Sequence, residues 1–391
     1  MSTPHGQHAA GTLATATTSP ASAARGAARV KPGFTWPEVF ARARAATPEA
    51  FSDGEPPQAH FLNLIAGVWG SPGSPRTLRT PIDGSAIGKL PMIDLPTGQR
   101  AVRAAAAEAK AWGRADVAER REKVGRTLDA MRTHRDLLAA LLVWEIGKTW
   151  KSAGADVDRC IEGVRWYVDN AEGMLQGRAP LGLISNIASW NYPLSVLMHA
   201  VLVQALAGNA VIAKSPTDGG GTSLAVCMAL ARREGLPVSF VAGSGGTLSD
   251  ALVRHECVDC LSFVGGRSHG RDVASALVDT TKRYMLEMEG VNAYGVWEFS
   301  DWKSLAGQVR KGFEYAKQRC TAYPRFVVQR RLLPEFLDMY LGVVKSVTCG
   351  HPLLVRDDSD ALPELDFGPL INTQKVEELR TMWSEAVGDG G

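Results

Sequence analysis

An α/β protein built on a parallel sheet is what this sequence predicts, on two changes of period and one recurring placement. Over 99–172 apolar residues recur at three- and four-residue spacing between charges, as in AVRAAAAEAKAWGRADVAERREKVGRTLDAMRTHRDLLAALLVWEIGK. That is the spacing of helices with one buried face. After Pro180 the pattern becomes short continuous apolar runs: LGLISNI (181–187), AVIAK (210–214), VSFVA (238–242) and CLSFV (260–264). Helical stretches at 194–206 and 222–233 separate them. Runs without polar alternation suit strands buried on both faces, as in βαβ units. Sheets of this kind bind ligands beyond the carboxyl ends of their strands. The ends here fall at Ile187, Lys214, Ala242 and Val264, and candidate functional residues follow each one.

The helical segment carries its own punctuation. Gly147 with Lys148 reads as a C-terminal stop, the glycine turning left-handed and the lysine facing the last carbonyls. With 391 residues the chain exceeds what one core organises, so two domains are expected. Hydrophobic residues at 45% and charged residues at 21% describe a globular chain. Lys+Arg 43 against Asp+Glu 41 leaves +2 with no basic stripe, which argues against a nucleic-acid partner. Apolar runs such as 137–143 are too short to span a bilayer, so no membrane partner is expected. Six scattered cysteines without a secretory leader fit a reducing, cytoplasmic setting rather than a disulfide framework. Residues 1–33 are rich in Ala, Thr, Ser, Pro and Gly with no acidic residue, and read as a disordered tail rather than a transit peptide.

Several residues have types and places that suit chemistry, each with a plainer alternative. Cys320 in KQRCTAYPR lies beside Arg319 and near Lys317, a positive setting that favours thiolate, although a lone cysteine is more often structural. Glu287 in YMLEMEG suits a partly buried general base; a strand with Glu287 and Glu289 both facing solvent explains the same spacing. Asn191, after Trp190, offers an amide for a developing oxyanion or a cap for the helix starting near Tyr192 and Pro193. Gly243 to Gly246, with Ser244 inside the run, and Gly265-Gly266 follow strands, where backbone amides approach phosphates, but simple turns look the same. Cys257 and Cys260 form a CxxC without a second pair, so no metal is expected.

Together these segments resemble the aldehyde dehydrogenase superfamily, from about Phe61 to the last residue. ERREKVGRTLDAMRTHRDLLAALLVWEIGK is similar to its helical segment ending in E-x-G-K, and NIASWNYPLSVLMHAVLVQALAGNAVIAKSPT to its W-N-[FY]-P and K-P-[ST/E] elements. LSFVGGRSHGRDVA resembles the F-T-G-S-x-x-x-G turn, LEMEGVNA the E-L-G-G-K-N-P motif, QRCTAYPRFVV the G-Q-x-C motif, and FGPLINTQKVEEL the later G-P-[LM]-I stretch. The resemblance implies a Rossmann-type parallel-sheet cofactor domain at 34–290, including the N-terminal helical segment, and an α/β catalytic domain at 291–391.

It also implies roles. Cys320 would be the nucleophile that forms a thiohemiacetal and then a thioester with an aldehyde. Asn191 and the Cys320 N–H would hold the oxyanion, and Glu287 would activate the hydrolytic water. The cofactor, NAD or NADP, would meet Ile187, Trp190, Lys214, Thr217, Gly245, Gly265 and Gly266. Thr217 stands where NAD-specific members carry Glu, so NADP should be accepted. Tyr192, Tyr323 and Trp297 suit a substrate tunnel, with core packing the simpler reading of each.

The pattern also breaks. Glu289 replaces a glycine, Gly266 a hydroxyl residue and Ser189 a proline. The 167–180 stretch lacks the hairpin used in oligomerisation, so any homo-oligomer would be non-standard. The family's E-x-F-G-P motif is absent before Gly391, which reads as a catalytic domain incomplete at its C-terminus. Oxidation of an aldehyde to a carboxylic acid is therefore expected. A CoA-acylating enzyme and a catalytically inert truncated paralogue or binding partner are the alternatives.

Overall fold

The computed structural model describes residues 27–278, 280–298 and 301–388. The chain begins with β1 (Arg29–Val30) and α1 (Trp36–Ala46), then β2 (Asn63–Ile65), β3 (Val68–Gly70) and a hairpin of β4 (Ser74–Arg79) and β5 (Ala86–Met92). The helical segment divides into α2 (Leu95–Trp112), α3 (Val117–Thr133), α4 (Arg135–Ile146) and α5 (Trp150–Leu175). Every residue of α4 from Leu137 to Ile146 is buried, so this helix is the centre of the main core. It stops where expected, but Lys148 does not face the last carbonyls: its ammonium is buried and donates to Asp156 instead. Gly147 takes φ 69°, and Thr149 caps α5 by accepting from the Ser152 N–H.

The alternating half follows as β6 (Leu183–Ala188), α6 (His199–Leu206), β7 (Ala210–Lys214), α7 (Gly221–Arg233), β8 (Val238–Val241), α8 (Gly245–Leu252), β9 (Cys260–Gly265), α9 (Arg267–Leu277) and β10 (Arg283–Met288). The sheet order is β10-β9-β6-β7-β8-β2-β3. The first five strands are parallel, whereas β2 and β3 add antiparallel at the far edge. All four runs read as strands are strands, and the antiparallel edge was not foreseen. β2 and β3 are short, and their residues carry no alternation long enough to read.

After Met288 the chain leaves this sheet and forms β11 (Ala293–Val296), α10 (Trp302–Phe313), β12 (Arg325–Val328), α11 (Leu333–Ser346), β13 (Leu354–Val355) and α12 (Thr373–Gly388). β11 and β12 pair in parallel over a small separate core that includes Val309 and Phe336. No described residue of α12 is buried, and Met382 and Trp383 lie exposed on it. No helix among the described residues is long and apolar enough to cross a membrane.

Two expectations change here. The tail was expected to reach residue 33, and its residues 1–26 lie outside the described residues. Arg29 and Val30, however, pair antiparallel with Val355 and Leu354, and Lys31 donates its N–H to the Leu353 carbonyl at 3.0 Å. Backbone pairing with a distant strand orders a segment whose own side chains bury little. Trp297 is 68% exposed, so neither the core nor an enclosed tunnel holds it.

Glu145 is the buried acid of the main core. Its two carboxylate oxygens accept the N–H groups of Thr222 (2.9 Å) and Ser223 (3.2 Å) at the start of α7. Those N–H groups favour the charged form, but complete burial opposes it more strongly and pushes the pKa up to about 7. The native carboxyl thus holds its proton more tightly than the unfolded one. Stability should fall as pH rises from about 4.5 to about 7, by up to about 3 kcal/mol, and level off above. Urea unfolding across that range should show the slope in the native sequence and lose it in Glu145→Gln. An unchanged slope in the variant would refute the assignment.

Candidate active site

The proposed nucleophile lies in a turn that the backbone makes expensive. Tyr315, Ala316 and Lys317 adopt φ of 58°, 51° and 59° in succession. Left-handed backbone at non-glycine residues costs roughly 1–2 kcal/mol each, so neighbouring contacts must hold it. Lys317 stands where the G-Q-x-C pattern has its glycine. Gln318 supplies much of the support: its N–H donates to the Tyr315 carbonyl (3.0 Å), and its Oε1 accepts from the Ile371 N–H (3.0 Å). From the other side Asn292 donates to the carbonyls of Cys320 and of Ala322, the latter at 2.9 Å. The Cys320 thiol itself is exposed.

Asn191 reaches this turn. Its Nδ2 donates to the Gln318 carbonyl at 3.0 Å, while Ser189 Oγ donates to its Oδ1 at 2.7 Å and fixes the amide's orientation. The helix after it is not capped by a side chain and starts as a π-turn, Pro193–Met198, before α6. Single π-turns recur at functional sites. One amide N–H of Asn191 is committed to Gln318, leaving the second for an oxyanion.

Beneath both segments lies an ion pair with no solvent access. Lys148 Nζ donates to Asp156 Oδ2 at 2.8 Å, and both side chains are 0% exposed. The ammonium also sits 3.9 Å from the Tyr192 ring centroid and 5.0 Å from that of Tyr315. Asp156 uses its other oxygen to accept the Ser195 N–H at 2.9 Å. Burial pulls the Lys148 pKa down and the carboxylate opposes that shift. Tyr315 completes the cluster, its hydroxyl donating to the Ile146 carbonyl at 3.2 Å and its ring edge-on to Trp190 and Tyr192.

The proposed cofactor residues gather at the carboxyl ends of the parallel strands. Lys214 is 6% exposed, donates to the Ser215 carbonyl at 2.9 Å, and has its pKa pushed down to about 8, chiefly by burial and then by Arg76. Arg76 donates to the Thr217 carbonyl. Ile187 is half-buried under α8 and α9, and Trp190 packs on Tyr315. A side chain on Gly245 would meet nothing within 4 Å, leaving the start of α8 open. The Phe263 ring lies where a Cβ on Gly265 would stand (2.7 Å). Gly266 is open except for Glu289 Oε2, 3.9 Å from its would-be Cβ.

Glu287 is paired with Val264 on edge strand β10 and is exposed, as is Glu289. The partial burial expected of a base is therefore absent, because no described strand covers β10 on its outer side. Glu287 lines a cavity of about 240 Å³ with Asn186, Ser195 and His199. Tyr323 packs edge-on to Tyr294 at 5.1 Å, and Tyr192 packs on the buried cation.

Residues 70–391 match the Aldehyde dehydrogenase family. The chain belongs to this family. It is 28% identical over 317 residues to the alpha-ketoglutaric semialdehyde dehydrogenase of Bacillus subtilis (strain 168), covering 76% of this chain and 65% of that protein. It is 26% identical over 329 residues to the NADP-dependent glyceraldehyde-3-phosphate dehydrogenase of Streptococcus equinus, covering 78% and 68%. The HpcC crystal structure from Thermus thermophilus superposes with a TM-score of 0.79 at 24% identity, covering 93% of this chain and 70% of that one. The chain thus spans about two thirds of the length of the curated relatives it matches.

Within this aldehyde dehydrogenase chain, the structure joins Asn191 to the Cys320 turn and leaves Glu287 exposed on edge strand β10. Asn292, Gln318 and the Lys148–Asp156 pair were not singled out from the sequence as site residues, although each lies in or beside a recognised motif. The ion pair should dominate the stability of the site. Removing one partner strands a buried charge, so Asp156→Ala is expected to lower unfolding stability by about 3–5 kcal/mol, with Lys148→Met recovering part of it in the double variant. Urea midpoints give the comparison, and a loss below about 1 kcal/mol would show the pair to be dispensable.

Proposed function

We propose that this chain oxidises an aldehyde to a carboxylic acid with NAD or NADP, through a covalent adduct on Cys320. The observation that carries the reading is the hydrogen bond from Asn191 to Gln318. It brings an oriented amide donor to the turn that presents an exposed thiol. The thiolate sulfur adds to the aldehyde carbon, and the carbonyl electron pair becomes an oxyanion within reach of the free Asn191 N–H and the Cys320 N–H. When bound, NAD(P) supplies the acceptor for the hydride that leaves the adduct, which converts it to a thioester. Glu287 then takes a proton from water as the water oxygen attacks the acyl carbon. The Cys320 thiolate leaves, and the acid is released.

The residues present fit the adenosine end of the cofactor. Lys214 is a buried cation bonded to a carbonyl, and Arg76 and the small Thr217 stand beside it. These features support acceptance of the 2′-phosphate of NADP. Cys320→Ala should abolish NAD(P)H formation, read by near-ultraviolet absorbance with an aldehyde panel and each cofactor. Glu287→Gln should retain a burst of reduced cofactor but lose turnover. Reduction that survives in Cys320→Ala would refute the covalent route.

The fit is poorer at the diphosphate end, where Glu289 faces Gly266. A carboxylate there repels a diphosphate, and this observation favours the second reading, a chain that binds cofactor feebly and turns over little. Glu289→Gln should tighten NADP binding roughly 3- to 10-fold at low salt, as expected for removing one exposed like charge. Tryptophan fluorescence titration measures it. Equal or weaker binding in the variant would mean the carboxylate does not face the cofactor.

A further inference from the structure

The cavity at the opposite edge of the sheet holds a buried cation with unpaired donors. It has a volume of about 590 Å³ and is lined by residues at the amino ends of the parallel strands, including Leu181 before β6, Asn209 before β7 and Arg283 at the start of β10. The cofactor residues lie at the carboxyl ends, so this cavity is separate from the proposed active site. The connection 176–182 that borders it holds no strand.

Arg120 of α3 is the central group. It is 7% exposed, and its Nε and Nη1 have no hydrogen-bond partner among the described residues. The guanidinium is seated on backbone that only glycine provides: Gly208 takes φ +90°, and a Cβ there would stand 2.1 Å from Nη1. The neighbouring amide cannot serve it. Asn209 Oδ1 already accepts the N–H groups of Leu181 and Gly182, and its Nδ2 donates to the Gln204 carbonyl. Asp116 acts on Arg120 only at a distance, and burial outweighs it. Arg178 and Arg283 line the same cavity, and no described residue forms a side-chain hydrogen bond or ion pair with either. Among the described residues no carboxylate lines it. Val117 and Leu175 provide apolar wall.

A buried guanidinium left unpaired is unfavourable, and its fork of N–H donors matches the oxygens of a phosphate or carboxylate. We propose that this cavity is a binding site for a small oxyanion, held by Arg120 with Arg178 and Arg283, its carbon skeleton lying on the apolar wall. Phosphate esters and carboxylates share this chemistry.

The test is thermal unfolding of the full chain titrated with inorganic phosphate or with hexanoate, against sodium chloride at matched ionic strength. Inorganic phosphate, hexanoate or both should raise the midpoint saturably, and which one does identifies the class of anion. Arg178→Ala/Arg283→Ala, both at exposed positions, should leave the unliganded midpoint unchanged and weaken the apparent affinity about tenfold or more. Arg120→Met should abolish the response; if that variant fails to fold, the double variant still decides. A midpoint that follows ionic strength alone, or equal affinity in the native and double-variant proteins, would overturn the proposal. Formation of NAD(P)H is not the readout, so the outcome is independent of the dehydrogenase reading.

Discussion

The buried pair of Lys148 and Asp156 is the constraint on which the site's geometry depends. It joins the helical half of the chain to the two segments proposed to carry the chemistry. Asp156 holds the start of the π-turn after Asn191, while Lys148 lies against the rings of Tyr192 and Tyr315. Neither charge has solvent to fall back on, so each is committed to the other and to these rings. A left-handed run at Tyr315, Ala316 and Lys317 persists because its first residue is pinned in that cluster and the next residue along, Gln318, is tied to Ile371. Of the residues that follow, Cys320 is exposed while the Arg319 side chain is largely buried.

The parallel sheet then divides the molecule electrostatically. At its carboxyl ends lie Lys214 beside Arg76 and, against Gly266, the carboxylate of Glu289. At its amino ends lie three arginines around one cavity. Because all five central strands run the same way, the two sets cannot mix. The proposed cofactor and oxyanion sites thus lie at opposite ends of the parallel strands.

Much of this was legible in the residues. The four apolar runs became β6 to β9 because strands buried on both faces leave no room for polar alternation. Gly147 stopped α4 because the left-handed backbone there suits glycine. The order of the motifs, with 33 residues from Glu287 to Cys320, was enough to name the family. Less legible were β2 and β3, too short to show a period, and β1, which is ordered only by its pairing with β13. Gly265 was read as a phosphate contact; its missing side chain also leaves room for the ring of Phe263, two residues earlier on the same strand.

By itself, then, the sequence determined most of the elements and which residue types are available: a thiol, an amide, a carboxylate and a lysine, each at or near a strand end or a turn. Periodicity and backbone preference act over a few residues, and those features are local. Only the tertiary structure decided which of them meet. It brought Asn191 to Gln318 across 127 positions, left Glu287 on an exposed edge, and put an Arg120 whose Nε and Nη1 have no hydrogen-bond partner among the described residues over Gly208. Contacts of that span are set by how helices and sheet pack together, and packing depends on the whole core at once.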